Sequence, residues 1–133
     1  MNYESVRVAF LLTVQDQESW MFADPVDTRK YPDYTTLVNQ PMHLKEVSRR
    51  AQSLDKSKDP RRAKVLFDLV VLVFQNAMVY NPPYSRVHQT SLRLLLTFVS
   101  IATHGPPGRR APPPALTARD HEAARSLVLL GSQ

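Results

Sequence analysis

The chain has 133 residues and a mass of 15.1 kDa, enough for one apolar core and too short for two. The absence of cysteine excludes disulfide frameworks, thiolate zinc sites and cysteine nucleophiles, and three glycines with no alternating apolar pattern argue against an all-β or doubly wound fold. The net charge of +5 suits an acidic partner, yet residues 16–42 carry Asp16, Glu18, Asp24, Asp27 and Asp33 against only Arg29 and Lys30, so an acidic stretch interrupts a basic body.

Tyr3, Val6, Phe10 and Val14 fall at steps of three and four and predict a first helix over residues 3–15. From Asp16 to Met42 the period is lost, and Pro25, Pro32 and Pro41 punctuate a long connection. Connections beyond ~12–15 residues are uncommon in a compact domain unless they are functional or disordered. This one holds Trp20, Phe22, Val26, Tyr31, Tyr34, Leu37 and Val38, too apolar a set for disorder, so it is expected to pack on the helices and shape a site.

A second helix is read from His43 to Leu54, with Leu44, Val47, Ala51 and Leu54 on one stripe. After the polar turn SLDKSKDP, Asp59 is expected to cap a third helix over residues 61–80, with Pro60 at its start. Its core, LFDLVVLVFQNAMV, is apolar nearly all round, which marks it as the most buried element. Ser85 is expected to cap a fourth helix over residues 86–103, rich in Leu, Val and Phe. No apolar stretch is expected to reach the roughly 18 residues that span a bilayer, and MNYESVR is too polar for a signal peptide. The reading is an all-α, soluble, monomeric domain over residues 1–104, with no membrane partner. Residues 105–116 read as a proline-rich linker, and residues 117–133 as a helical extension that either docks on the bundle or stands alone.

The third helix runs into NAMVYNPPYSRVH, residues 76–88. Two consecutive prolines stop a helix, because neither donates an amide N–H and each ring clashes with the preceding turn. Asn81 is thereby held at a helix mouth, offering two N–H donors and one acceptor without charge. Alone, Asn-Pro-Pro reads as a plain helix stop. Beside Ala77, Tyr80, Val87 and an apolar loop, it reads as the one polar group of a cleft suited to a neutral ligand.

YNPPYSRVH, preceded by DLVVLVFQNAMV and by WMFADPVDTRKYPDYTTLVNQPMHL at residues 20–44, resembles a bromodomain over about residues 3–104. That resemblance implies a left-handed four-helix bundle with a long structured loop between its first two helices. It also implies a non-catalytic module that binds acetyl-lysine on histones or other chromatin proteins, needs no cofactor and works in the nucleus. Carried over residue by residue, Asn81 donates to the acetyl carbonyl and Tyr34 reaches it through a water. Phe22, Val26 and Ala77 form floor and walls, Val87 stands at the gatekeeper position, and Tyr31, Tyr80 and Trp20 line the channel and shelf. The chain departs from the family pattern at Met21, where proline is usual, and at His43, where aspartate is usual.

Two other readings remain open at this point. The pocket could have been altered, leaving a scaffold for protein–protein contacts through the terminal extension. Alternatively the basic run Lys56, Lys58, Arg61, Arg62 and Lys64 touches DNA without regard to sequence, although such a run is most often a solvated turn. His43 and His88 read as surface or capping residues, since nothing nearby completes a metal site or a triad.

Overall fold

A computed structural model describes residues 1–106. The predicted linker and terminal extension therefore lie, apart from the first two linker residues, outside the described residues. The described part is all-helical: α1 (Tyr3–Val14), a single 3₁₀ turn (Ser19–Phe22), α2 (Tyr34–Leu37), α3 (Leu44–Asp55), α4 (Arg62–Tyr80) and α5 (Arg86–His104). The four long helices are the ones the periodicity predicts. The short α2 lies inside the long connection, where the sequence predicts loop.

Helix α4 is the spine of the bundle, packing against α1, α3 and α5, while α1 also packs on α5. Leu66, Val70 and Phe74 on α4, Leu94, Leu95 and Phe98 on α5, Val6 on α1 and Val47 on α3 are all but completely buried. Each such side chain contributes about 1.5–3 kcal/mol by leaving water. At 19 residues, with a mean hydropathy of 1.5, α4 is long and apolar enough to cross a membrane, contrary to the expectation from sequence. That length and composition follow from its central position, where three neighbouring helices meet its sides.

On α1 the buried stripe is Tyr3, Val6, Ala9, Phe10 and Thr13, whereas Val14 faces outward. Thr13 can be buried because its hydroxyl donates to the Ala9 carbonyl at 2.8 Å. The expected cap of α4 also moves: Arg61 is the N-cap residue, and the Asp59 carboxylate accepts from the Arg61 N–H at 2.8 Å in the turn just before the helix. Ser85 caps α5 as predicted, its hydroxyl accepting from the His88 N–H at 3.2 Å. His43 precedes α3 without any side-chain capping bond.

Contacts at the helix ends define two poles. At the base, the start of α1 meets the end of α3 and the start of α4: the Tyr3 hydroxyl donates to Asp55 at 2.6 Å, and the Arg62 guanidinium lies 4.1 Å over the Tyr3 ring. Arg62 also donates to the carbonyls of Leu54 and Ser57, closing the C-terminus of α3. The opposite pole gathers the long connection, the end of α4 and the start of α5.

Candidate functional site at the end of helix α4

Helix α4 stops at Tyr80, and Asn81 follows as its C-cap in extended conformation, as the two prolines require. The Asn81 backbone N–H and side-chain Nδ2 both donate to the Ala77 carbonyl, each at 2.9 Å. A carbonyl only accepts, so the amide end of the side chain is the end that faces it. His88 reaches back from α5 to the Asn81 carbonyl through Nδ1 at 2.9 Å, which places a proton on that nitrogen. Asn81 is thus held from both sides, and its second Nδ2 proton has no partner among the described residues.

The long connection is fastened to the bundle at several points. Arg93 on α5 forks onto Asp16 with two bonds of 2.9 Å and reaches Glu18 at 2.9 Å. The same Glu18 accepts from Arg86 and Thr90. Arg93 holds the Asp16 and Glu18 carboxyls below their ordinary values, and its own pKa is raised by Asp16 first. Further along, the Lys45 N–H donates to the Ala23 carbonyl at 3.2 Å, and the buried Asn76 side chain donates to the Gln40 carbonyl at 2.8 Å.

These anchors bring an aromatic group to the end of α4. The Tyr34 ring meets the Tyr80 ring edge-on at 5.0 Å, and Tyr31 meets Tyr80 at 6.1 Å. Tyr80 donates its hydroxyl to Asp33 at 2.6 Å, and that bond more than any other effect pushes its pKa up to about 12. Tyr34 is 5% exposed, and burial raises its pKa. Its hydroxyl has no partner among the described residues, and no fully buried side-chain polar atom there is left unpaired. The hydroxyl must therefore open onto solvent-accessible space, and the Asn81 carboxamide oxygen must do so by the same reasoning.

Phe22 is buried, with its ring edge-on to Phe74 at 5.2 Å. Ala77, one turn beyond Phe74 on α4, is buried too. Val87 on α5 is partly buried against the core. The remaining predicted members stand further out: Trp20 is 65% exposed, Tyr31 46% and Val26 40%. The expectation that the whole apolar set of the loop packs down therefore holds for Phe22, Tyr34 and Val38 only. Trp20, Val26, Tyr31 and Leu37 stay exposed, with nearby backbone committed to local turns such as Tyr31 N–H to the Asp27 carbonyl at 3.0 Å.

Asp33, Asn76, His88 and Arg93 received no supporting role from the sequence. The signal was present for two of them: an asparagine and an arginine inside otherwise apolar helices call for buried partners. The partners of Asp33 and His88 are visible only in three dimensions. Among the described residues no group of three or more His, Asp or Glu could hold a metal ion. Of the basic run, Arg61 pairs with Asp59 and Lys64 with Asp68, and Arg62 is spent on carbonyls.

Against known proteins, the family model described as Bromodomain matches residues 10–93. Histone acetyltransferase GCN5 of Oryza sativa subsp. japonica is 31% identical over 81 residues, covering 58% of this chain and 14% of that protein. Transcription factor GTE11 of Arabidopsis thaliana is 35% identical over 78 residues, covering 57% and 12%. Tyrosine-protein kinase BAZ1B of Danio rerio is 30% identical over 92 residues, covering 69% and 6%. The chain thus spans only a small part of each of these relatives. The solved structure of the bromodomain from human BAZ1A matches the fold with a TM-score of 0.65 at 22% identity, covering 77% of this chain and 92% of that one.

Proposed function

The chain belongs to the bromodomain family, and from that premise we propose that residues 3–104 form a non-catalytic module that binds acetylated lysine through Asn81. The carrying observation is the Asn81 side chain, which keeps one N–H on the Ala77 carbonyl and has a second left to donate. Tyr34 supports the reading with a hydroxyl that has no protein partner and is open to solvent, as a water-mediated contact to the same acetyl carbonyl needs. Phe22 and Ala77 supply apolar surface for the acetyl methyl, with Val26, Val87, Tyr31, Tyr80 and Trp20 around the mouth.

The chemistry favours the modified side chain. Acetylation turns an ammonium into a neutral amide, and an uncharged apolar site accepts the amide while burial of the unpaired ammonium costs several kcal/mol. Gains of ~1 kcal/mol per hydrogen bond and ~0.8 kcal/mol per buried CH₂ predict micromolar to millimolar affinity. Asp27 and Asp33 in the loop, neither with an ion-pair partner among the described residues, suit flanking lysines and arginines, whereas Asp24 is already paired with Lys45; this points to acetylated histone tails or other acetylated chromatin proteins and to a nuclear location. The names of the relatives, a histone acetyltransferase and a transcription factor among them, agree with that setting. DNA contact through the basic base is the weaker reading, because Arg61 and Lys64 already have carboxylate partners.

Calorimetric titration with acetylated and unmodified histone-tail peptides tests the proposal. The acetylated peptide is expected to bind and the unmodified one not, with Asn81→Ala abolishing the difference. Equal binding of both peptides by the parent, or unchanged binding by Asn81→Ala, overturns it.

A further inference from the structure

Asp33 precedes Tyr34 and is the N-cap residue of α2, yet its side chain makes no capping bond. The carboxylate instead accepts from the hydroxyl of Tyr80, 47 positions further along the chain, at 2.6 Å. A residue that forgoes a local cap for a distant partner calls for a reason. The two partners supply one. Asp33 is joined by a single peptide bond to Tyr34, and Tyr80 by a single peptide bond to Asn81, so the Asp33–Tyr80 bond closes a short link between the two groups assigned to the acetyl carbonyl. The Tyr80 ring, held at its far end by this bond, is packed edge-on against Tyr34 and Tyr31.

We propose that Asp33 is a positioning residue, which through Tyr80 sets the spacing between Asn81 at the C-cap of α4 and Tyr34 on α2. The inference rests on the acetyl-lysine reading for its functional consequence, while its geometric part stands without it. A charge-assisted O–H···O⁻ bond suits the role, being shorter and stronger than a neutral one and tolerant of few orientations. Asp33 and its partner hydroxyl lie at the surface, so their loss leaves the buried core of the bundle intact.

Asp33→Ala, Asp33→Asn, Tyr80→Phe and the double variant Asp33→Ala/Tyr80→Phe separate positioning from folding. The first readout needs no ligand: the side-chain amide NMR signals of Asn81 and the ring signals of Tyr34 shift in Asp33→Ala and Tyr80→Phe. They return toward the parent in Asp33→Asn, which keeps an acceptor. Alongside, the phenol of Tyr80, raised to about 12 chiefly by its bond to Asp33, titrates closer to an ordinary tyrosine in Asp33→Ala. The second readout is titration with free Nε-acetyl-lysine, whose affinity falls about fivefold in either single variant and no further in the double, while the far-UV circular dichroism of every variant stays that of the folded parent. Unmoved Asn81 and Tyr34 signals in Asp33→Ala overturn the inference, as do single-variant losses that simply add in the double. If the parent itself fails to bind Nε-acetyl-lysine, the acetyl-lysine reading falls, and the ligand-free signals still decide whether Asp33 positions Asn81 and Tyr34.

Discussion

Replacing Arg93 by alanine removes the clamp that fastens the start of the long connection to α5. The guanidinium meets Asp16 through two bonds of 2.9 Å in the planar fork that arginine alone can offer. Its side chain is 40% exposed and that of Asp16 26%, so the pair is neither a free surface bridge nor a buried one. Exposed pairs contribute about 0.2–1 kcal/mol, and severing a buried pair costs ~3–5 kcal/mol. With solvent screening on the arginine side, the Arg93–Asp16 fork is expected to contribute about 1–2 kcal/mol. Arg93→Lys keeps the charge but gives up the fork, and is expected to retain about half of that. Urea denaturation at neutral pH reads the loss as a lower midpoint at an unchanged slope. The pH dependence has a definite sign. Asp16 and Glu18 are held below their ordinary values of 3.8 and 4.5, in both cases chiefly by the bond to Arg93. Groups whose folded pKa is depressed stabilise fully above their unfolded pKa and lose that contribution as pH falls through the folded value. The stability gap between parent and Arg93→Ala is therefore expected to close progressively below about pH 4. A gap under about 0.3 kcal/mol at neutral pH, or one that widens in acid, would falsify the assignment of Arg93 as the clamp.

Phe74→Ala opens a cavity at a fully buried position and removes the edge-on partner of Phe22; a loss of ~3–5 kcal/mol is expected by chemical denaturation, and less than ~1.5 kcal/mol would mean that the loop collapses into the space. Asn76→Ala strips the Gln40 carbonyl of its side-chain donor and is expected to cost about 1–3 kcal/mol, with hydrogen exchange accelerated around residues 38–42; exchange unchanged there counts against an anchoring role. Ser85→Ala removes the N-cap of α5 for about 1 kcal/mol in thermal unfolding, and a neutral result would show that water replaces the hydroxyl. Tyr34→Phe is expected to leave stability within ~0.5 kcal/mol, since its hydroxyl has no protein partner, while weakening acetyl-lysine binding severalfold; equal binding by the two proteins removes Tyr34 from the site.

Four helices, their approximate ends and the identity of the spine were legible in the sequence, because burial of an apolar stripe leaves a period of 3.6 that needs no knowledge of the partner helix. The position of Asn81 was legible for an equally local reason: two prolines leave a helix no way to continue. The capping hydroxyl of Ser85 belongs to the same class of information. Local rules failed where a neighbour decided the outcome. Val14 has the spacing of a core residue and lies outside, while Thr13 lies inside, because its hydroxyl has a carbonyl one turn away. Tyr31 and Tyr34 look alike in sequence and both meet the Tyr80 ring, yet Tyr31 is exposed and Tyr34, at the start of α2, is buried. Composition and spacing along the chain thus determined the helices and the asparagine at the mouth of α4. Only the tertiary structure decided that Tyr31 and Tyr34 meet Tyr80 at the end of α4, that Asp33 accepts from the Tyr80 hydroxyl and that Arg93 clamps Asp16, because those bonds join residues 47 and 77 positions apart and no local pattern encodes such a partner.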